Sequence, residues 1–161
     1  MRTSSEIAVV GAIVIAGVAS TPYTRVAVQA TYQFQYAAKV VCGKWDRTTP
    51  VVPQTYATSI NVNNPSDSLT ASFRKWFVMT FPEGGQIPQR PMKEMRDTLL
   101  QRWALMSDCR DIVRRNGISV PFFEGFLVIQ STLPLDVTGV YTVPGGIDVV
   151  TLNERRIYVG K

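Results

Sequence analysis

Between Phe122 and Val143 the chain runs Phe-Phe-Glu-Gly-Phe-Leu-Val-Ile-Gln-Ser, breaks at Thr-Leu-Pro, and resumes as Leu-Asp-Val-Thr-Gly-Val-Tyr-Thr-Val. Both runs are rich in β-branched and aromatic residues, and the breaker centred on Pro134 predicts two neighbouring strands. In the second run Leu135, Val137, Tyr141 and Val143 share one face, with Gly139 leaving a gap, while Asp136, Thr138 and Thr142 share the other. That alternation describes a half-buried strand of an antiparallel sheet. The first run is apolar on both faces, with Phe123, Leu127 and Ile129 against Phe122, Phe126 and Val128. It belongs in the middle of its sheet.

The same period of two recurs upstream. Tyr32, Phe34, Tyr36, Ala38, Val40 and Cys42 fall on one face of a long strand, and Gly43 to Pro53 reads as a loop. Tyr56, Thr58, Ile60 and Val62 alternate with polar or small residues until Asn63-Asn64-Pro65-Ser66-Asp67 supplies turn chemistry. Leu69 to Phe81 predicts a third strand, with Phe73, Phe77, Met79 and Phe81 opposed to Arg74, Trp76 and Val78. Gln86 to Gly117 breaks the pattern. Leu99 to Met106 suits helix or strand equally, whereas Ser107 to Asn116 reads as a helix with Ser107 as N-cap and Arg114 and Arg115 in its last turn. Pro144-Gly145-Gly146 predicts a turn, Ile147 to Leu152 a strand, and Arg156 to Val159 a short edge strand. About seven or eight strands with one short helical insertion argue for a mostly β fold, a single antiparallel β-sandwich of immunoglobulin-like kind.

The N-terminus changes the picture. Met1-Arg2 precedes an apolar run from Ile7 to Ala19, which leaves through Gly17-Val18-Ala19-Ser20. A basic start, a short apolar core and a small-residue exit match a secretory signal peptide, and the run is short for a membrane span. Residues 1–20 are therefore read as a signal peptide or a retained hydrophobic segment, with a buried first strand as the third reading, and residues 21–161 as one domain. Membrane contact is expected only if residues 1–20 are retained. Cys42 and Cys109 form an even pair, which in an exported chain points to one disulfide; two buried free thiols are the other reading.

Charge and chemistry narrow the function. The 161 residues carry a net charge of +5, and only 18% are charged, against about a quarter in an average domain. Arg90, Lys93, Arg96, Arg102, Arg110, Arg114 and Arg115 are interleaved with acids, so no nucleic-acid partner is expected. The absence of histidine removes Ser-His-Asp and Cys-His nucleophile systems and the common zinc sites. Ser72-Phe-Arg-Lys75 has the Ser-x-x-Lys spacing of penicillin-recognising enzymes, but it falls in a strand pattern and lacks the companion motifs. No catalytic residue, metal site or cofactor is predicted. Glu124, set among Phe122, Phe123 and Phe126, and the three tryptophans Trp45, Trp76 and Trp103 are the candidate interaction residues.

Lys39-Val-Val-Cys-Gly43, Ile60-Asn-Val-Asn-Asn-Pro65, Phe73-Arg-Lys-Trp76, Asp108-Cys-Arg-Asp-Ile112 and Phe123 through Val143 together resemble a group of small exported prokaryotic proteins of uncharacterised function. The resemblance covers about Tyr32 to Arg156. It implies an exported domain with Cys42 and Cys109 as part of its pattern, and no activity or functional residue. The expectation is a secreted or cell-surface, non-enzymatic structural or interaction module with a protein partner or a second copy of itself, able to build a filament by strand addition. An extracellular carbohydrate- or peptide-binding module is the alternative.

Overall fold

A computed structural model describes residues 32–48, 51–80 and 88–157; the apolar segment 1–20 lies outside them. Nine strands and one helix follow in order: β1 (Phe34–Trp45), β2 (Gln54–Asn63), β3 (Ala71–Thr80), β4 (Met95–Leu99), β5 (Ala104–Asp108), α1 (Cys109–Asn116), β6 (Phe122–Ser131), β7 (Asp136–Val143), β8 (Gly146–Leu152) and β9 (Arg155–Arg156). All strand pairs are antiparallel, and the hydrogen-bonded path runs β4-β3-β6-β1-β2-β7-β8, with β5 beside β2 and β9 beside β1. The fold is the mostly β, sandwich-like architecture that the alternation predicts. One layer contains β4, β3, β6 and β1, the other β5, β2, β7 and β8.

The layers share one core. β1 contributes Phe34, Tyr36, Ala38, Val40 and Cys42; β3 contributes Phe73 and Phe77; β6 contributes Phe123, Leu127 and Ile129. Ile60 and Val62 of β2 and Val137 of β7 meet them from the other layer. These are the alternate positions of each strand, so the period of two in the sequence is the two-sidedness of each layer. Burying this set supplies most of the stabilisation, at about 25 cal/mol per Å² of apolar surface removed from water.

β6 is central, flanked by β3 and β1 along most of its length. Its expected neighbour β7 lies in the other layer, between β2 and β8. Both hydrogen-bonding edges of β6 are occupied, so the chain crosses at Thr132–Leu135 instead of folding back as a hairpin. The crossing is held by Tyr36, whose hydroxyl accepts from the Leu135 backbone N–H at 2.8 Å.

Two other elements depart from the sequence pattern. β1 continues through Gly43 to Trp45 and pairs there with Gln54–Tyr56 of β2, where a loop is expected. Gly43 has φ 97°, and a Cβ there would lie 2.0 Å from the Pro121 carbonyl oxygen. This left-handed residue breaks the inward alternation, so Trp45 rather than Lys44 turns inward against the Phe122 ring, 4.9 Å between centroids. The α1 N-cap is Asp108, which accepts from the Asp111 N–H at 2.8 Å; Ser107, the expected cap, points into the core. The helix ends at Gly117 in the left-handed conformation, as Asn116-Gly117 predicts. Leu99–Met106, ambiguous by period, is the end of β4, a turn with Arg102 at φ 61°, and the start of β5.

The first residue of α1 is joined to β1 by the Cys42–Cys109 disulfide, with Cα atoms 5.8 Å apart. Beside it the layers part. Thr58 Oγ1 accepts from Val41 N–H at 3.0 Å and donates to Val41 O at 2.9 Å, taking the place of a ladder partner.

Candidate interaction surfaces

The two layers present outer faces of different chemistry. On the first layer, the outward residues of β1, β6 and β3 line up in rows: Gln35, Gln130 and Arg74; Ala37, Val128 and Trp76; Lys39, Phe126 and Val78; Val41, Glu124 and Thr80. The middle rows are apolar except for Lys39, and Phe126 is 40% exposed. Their charges are spoken for. Lys39 Nζ lies 2.6 Å from Glu124 and 5.3 Å from the centre of the Phe126 ring. Arg74 donates from Nε to Gln130 at 2.9 Å, and its guanidinium lies over the rings of Tyr32 and Trp76.

Arg74 and Arg96 stand directly opposite each other on β3 and β4, an unfavourable like-charge pair in isolation. Glu94 relieves it, with one carboxylate oxygen 3.3 Å from Arg74 and the other 2.9 Å from Arg96. Two open clefts flank this cluster. One, of about 420 Å³, is lined by Tyr32, Ser72, Phe73, Arg96, Asp97 and Thr98. The other, of about 270 Å³, is lined by Arg74, Trp76, Pro91, Met92 and Glu94.

The outer face of the second layer carries little charge: Asp108 at one margin, and Asp136 in an end row with Ala104 and Asn63. Its rows read Met106, Asn61, Thr138 and Thr151; then Asp108, Ser59, Val140 and Val149; then Ala57, Thr142 and Ile147. Asp108 lies at the margin, where it caps α1. Ile147 is 70% exposed, Val149 59% and Met106 54%. β8 closes this layer and, among the described residues, pairs with β7 alone. Six of its seven residues are exposed, on both of its faces. The two-residue turn Pro144–Gly145, with Gly145 at φ 83°, joins it to β7.

Of the residues singled out by sequence, Trp76 and Glu124 lie on the first outer face, two rows apart. Glu124 is the salt-bridged strand acid that its surroundings suggest. Trp45 is buried, and its ring packs tilted against Phe122, with Arg47 above it. Trp103 is exposed at the turn before β5, on the other layer, where its backbone carbonyl accepts from Asn64. The three tryptophans form no common platform.

A buried polar contact escapes any local motif. Lys75 points into the core, where its ammonium donates to the Ser107 hydroxyl at 2.7 Å, joining β3 to β5 across the two layers. Burial pushes the Lys75 pKa down; Asp97 and Asp111 oppose that shift and Arg115 adds to it. Ser72 sits three residues from Lys75 on a strand and therefore on the opposite face, so the Ser-x-x-Lys spacing brings no hydroxyl to this amine. Lys75 and Ser107 are both almost wholly buried, and neither lines either cleft. Nothing in the strand pattern around Ser107 signals the contact. Among the described residues no cluster of acidic, cysteine or histidine side chains could hold a metal ion, and no helix is long and apolar enough to cross a membrane. Comparison with known proteins returned no family model, no curated protein and no solved structure that matches this chain.

Proposed function

We propose that the protein is an exported, non-enzymatic structural or interaction module of the cell surface that associates with further copies of itself by strand addition at the β8 edge. The observation that carries this reading is β8 itself, a seven-residue edge strand with Ile147, Val149 and Val150 in solvent. Proteins that remain single guard such edges with charge, proline or a covering element, because unpaired N–H and C=O groups template another strand. Export is supported by the signal-like N-terminus and by the disulfide, a bond of oxidising compartments. Growth into a filament would need β8 of one copy to meet a different edge of the next. Size-exclusion chromatography with light scattering, together with electron microscopy of the protein from residue 21 onward, tests the reading. Dimers or larger species are expected; a strictly monomeric protein at high concentration sinks it.

A second reading rests on the first outer face. Tyr32, Arg74 and Trp76 between two clefts combine flat rings with fixed polar groups, the chemistry of carbohydrate or peptide recognition. A glycan array and a thermal-shift screen decide it, and silence across broad libraries would argue strongly against this use of the face.

A further inference from the structure

On the reading that copies associate through this edge, we propose that the contact is β8 against β8, antiparallel, across a two-fold axis at Val149. The backbone decides which groups are available. β7 and β8 are joined by the two-residue turn Pro144–Gly145, with Val143 paired to Gly146. A two-residue turn closes on a hydrogen-bonded pair, and such pairs then alternate along an antiparallel ladder. Asp148 and Val150 therefore bond back to Tyr141 and Gly139, their partners in β7. The N–H and C=O groups of Ile147, Val149 and Thr151 point to the free edge.

Val149 is the midpoint of the strand Gly146–Leu152. A two-fold axis there sets Val149 opposite Val149 of the second copy and Ile147 opposite Thr151 of the second copy. All three free-edge residues of both copies then join one ladder, with six backbone hydrogen bonds. Registers centred elsewhere leave some of these groups without a partner. The side chains agree. The three residues share the outer face, where no charge interrupts them, and Asp148, the one charged residue of β8, falls opposite Val150 of the second copy rather than opposite its own counterpart. Like charges placed directly across a ladder would oppose pairing.

The other edges fit β8 less well. β4 carries Arg96 and Asp97, both exposed, so a β8–β4 contact would set Ile147 and Val149 against charges. β5 spans five residues and runs directly into α1.

Single cysteines read the register. In a hydrogen-bonded antiparallel pair the Cα atoms are about 5.5 Å apart, within disulfide reach. Val149→Cys is expected to form an intermolecular disulfide in most of the protein under mild oxidation. Ile147→Cys and Thr151→Cys, each alone, should remain uncross-linked, since each would lie about 13 Å along the strand from its own copy. Mixed together, those two should give the heterodimer. Self-association of the unaltered protein without cross-linking of Val149→Cys, or with equal cross-linking of Ile147→Cys to itself, overturns the two-fold pairing and leaves the wider reading standing. A monomer by light scattering, with no cross-link from any of the three, removes both.

Discussion

The edges β4 and β8 close opposite ends of the same hydrogen-bonded path, and they are defended differently. β4 is short, ends in the buried Leu99, and displays Arg96, Asp97 and Thr98; Glu94, just before it, bridges Arg96 and Arg74. β8 is longer, is exposed on both faces, and offers isoleucine, valine and threonine. The layers behind them follow suit: one outer face binds its charges to each other and to aromatic rings, the other has few. A strand edge is sticky by default because its backbone groups are unpaired, so the difference lies in what surrounds those groups. β4 is guarded against pairing and β8 is left open to it.

The largest change should come from the bond that holds the two layers in register. Replacing Cys42 and Cys109 by Ser releases α1 from β1, and loss of a disulfide closing a loop of this size should cost about 2–4 kcal/mol in guanidinium denaturation.

Next is the buried contact between the layers. Ser107→Ala leaves the Lys75 ammonium without its hydroxyl partner and should destabilise by about 1–3 kcal/mol. Because burial lowers the Lys75 pKa in the folded chain, the unfolded chain binds the extra proton between that lowered value and 10.5. Stability should therefore rise with pH across that window, and Lys75→Met should flatten the rise. Tyr36 acts in the opposite sense at the alkaline end: burial raises its pKa above 10, so its contribution is present at lower pH and lost as pH climbs through the raised value. A stability profile of Lys75→Met indistinguishable from the unaltered protein would remove this account.

Exchanging the guards tests the comparison of edges directly. Val149→Lys should weaken self-association at least ~10-fold, about 1.4 kcal/mol, by sedimentation equilibrium. Arg96→Val with Asp97→Val should open the β4 edge and create larger assemblies than the unaltered chain forms. If both variants behave like the original, edge chemistry does not govern association. The smallest effect is expected from Glu124→Gln. Its partner Lys39 is 40% exposed, so the pair should be worth less than about 1 kcal/mol in thermal denaturation.

Much of this fold was legible in the chain. Alternation identified β1 as far as Cys42, β2, β3 and β7, a run apolar on both faces marked β6 as central, Pro-Gly marked the β7–β8 turn, and an even cysteine pair proved to be bridged. The candidate surface was legible in part. Trp76 and Glu124 share a face because both occupy outward positions of adjacent strands, but Trp45 turns inward after Gly43, a consequence of one backbone angle that periodicity does not encode. The openness of β8 was hidden for a related reason. Gly-Ile-Asp-Val-Val-Thr-Leu reads as an ordinary strand, and its exposure depends on what packs against it.

By itself, then, the order of residues determined which segments become strands, which side chains of each strand seek the core, and where the turns and the helix end fall. These are properties of near neighbours, fixed by side-chain shape and a period of two. Tertiary structure alone decided that β6 and β7 part company into different layers, that Lys75 meets Ser107 rather than Ser72, and that β8 is left at an edge. Each of these depends on which hydrogen-bonding edge is already occupied and on which atoms the opposing layer brings near. Such contacts join residues tens of positions apart, so no local pattern in the chain carries them.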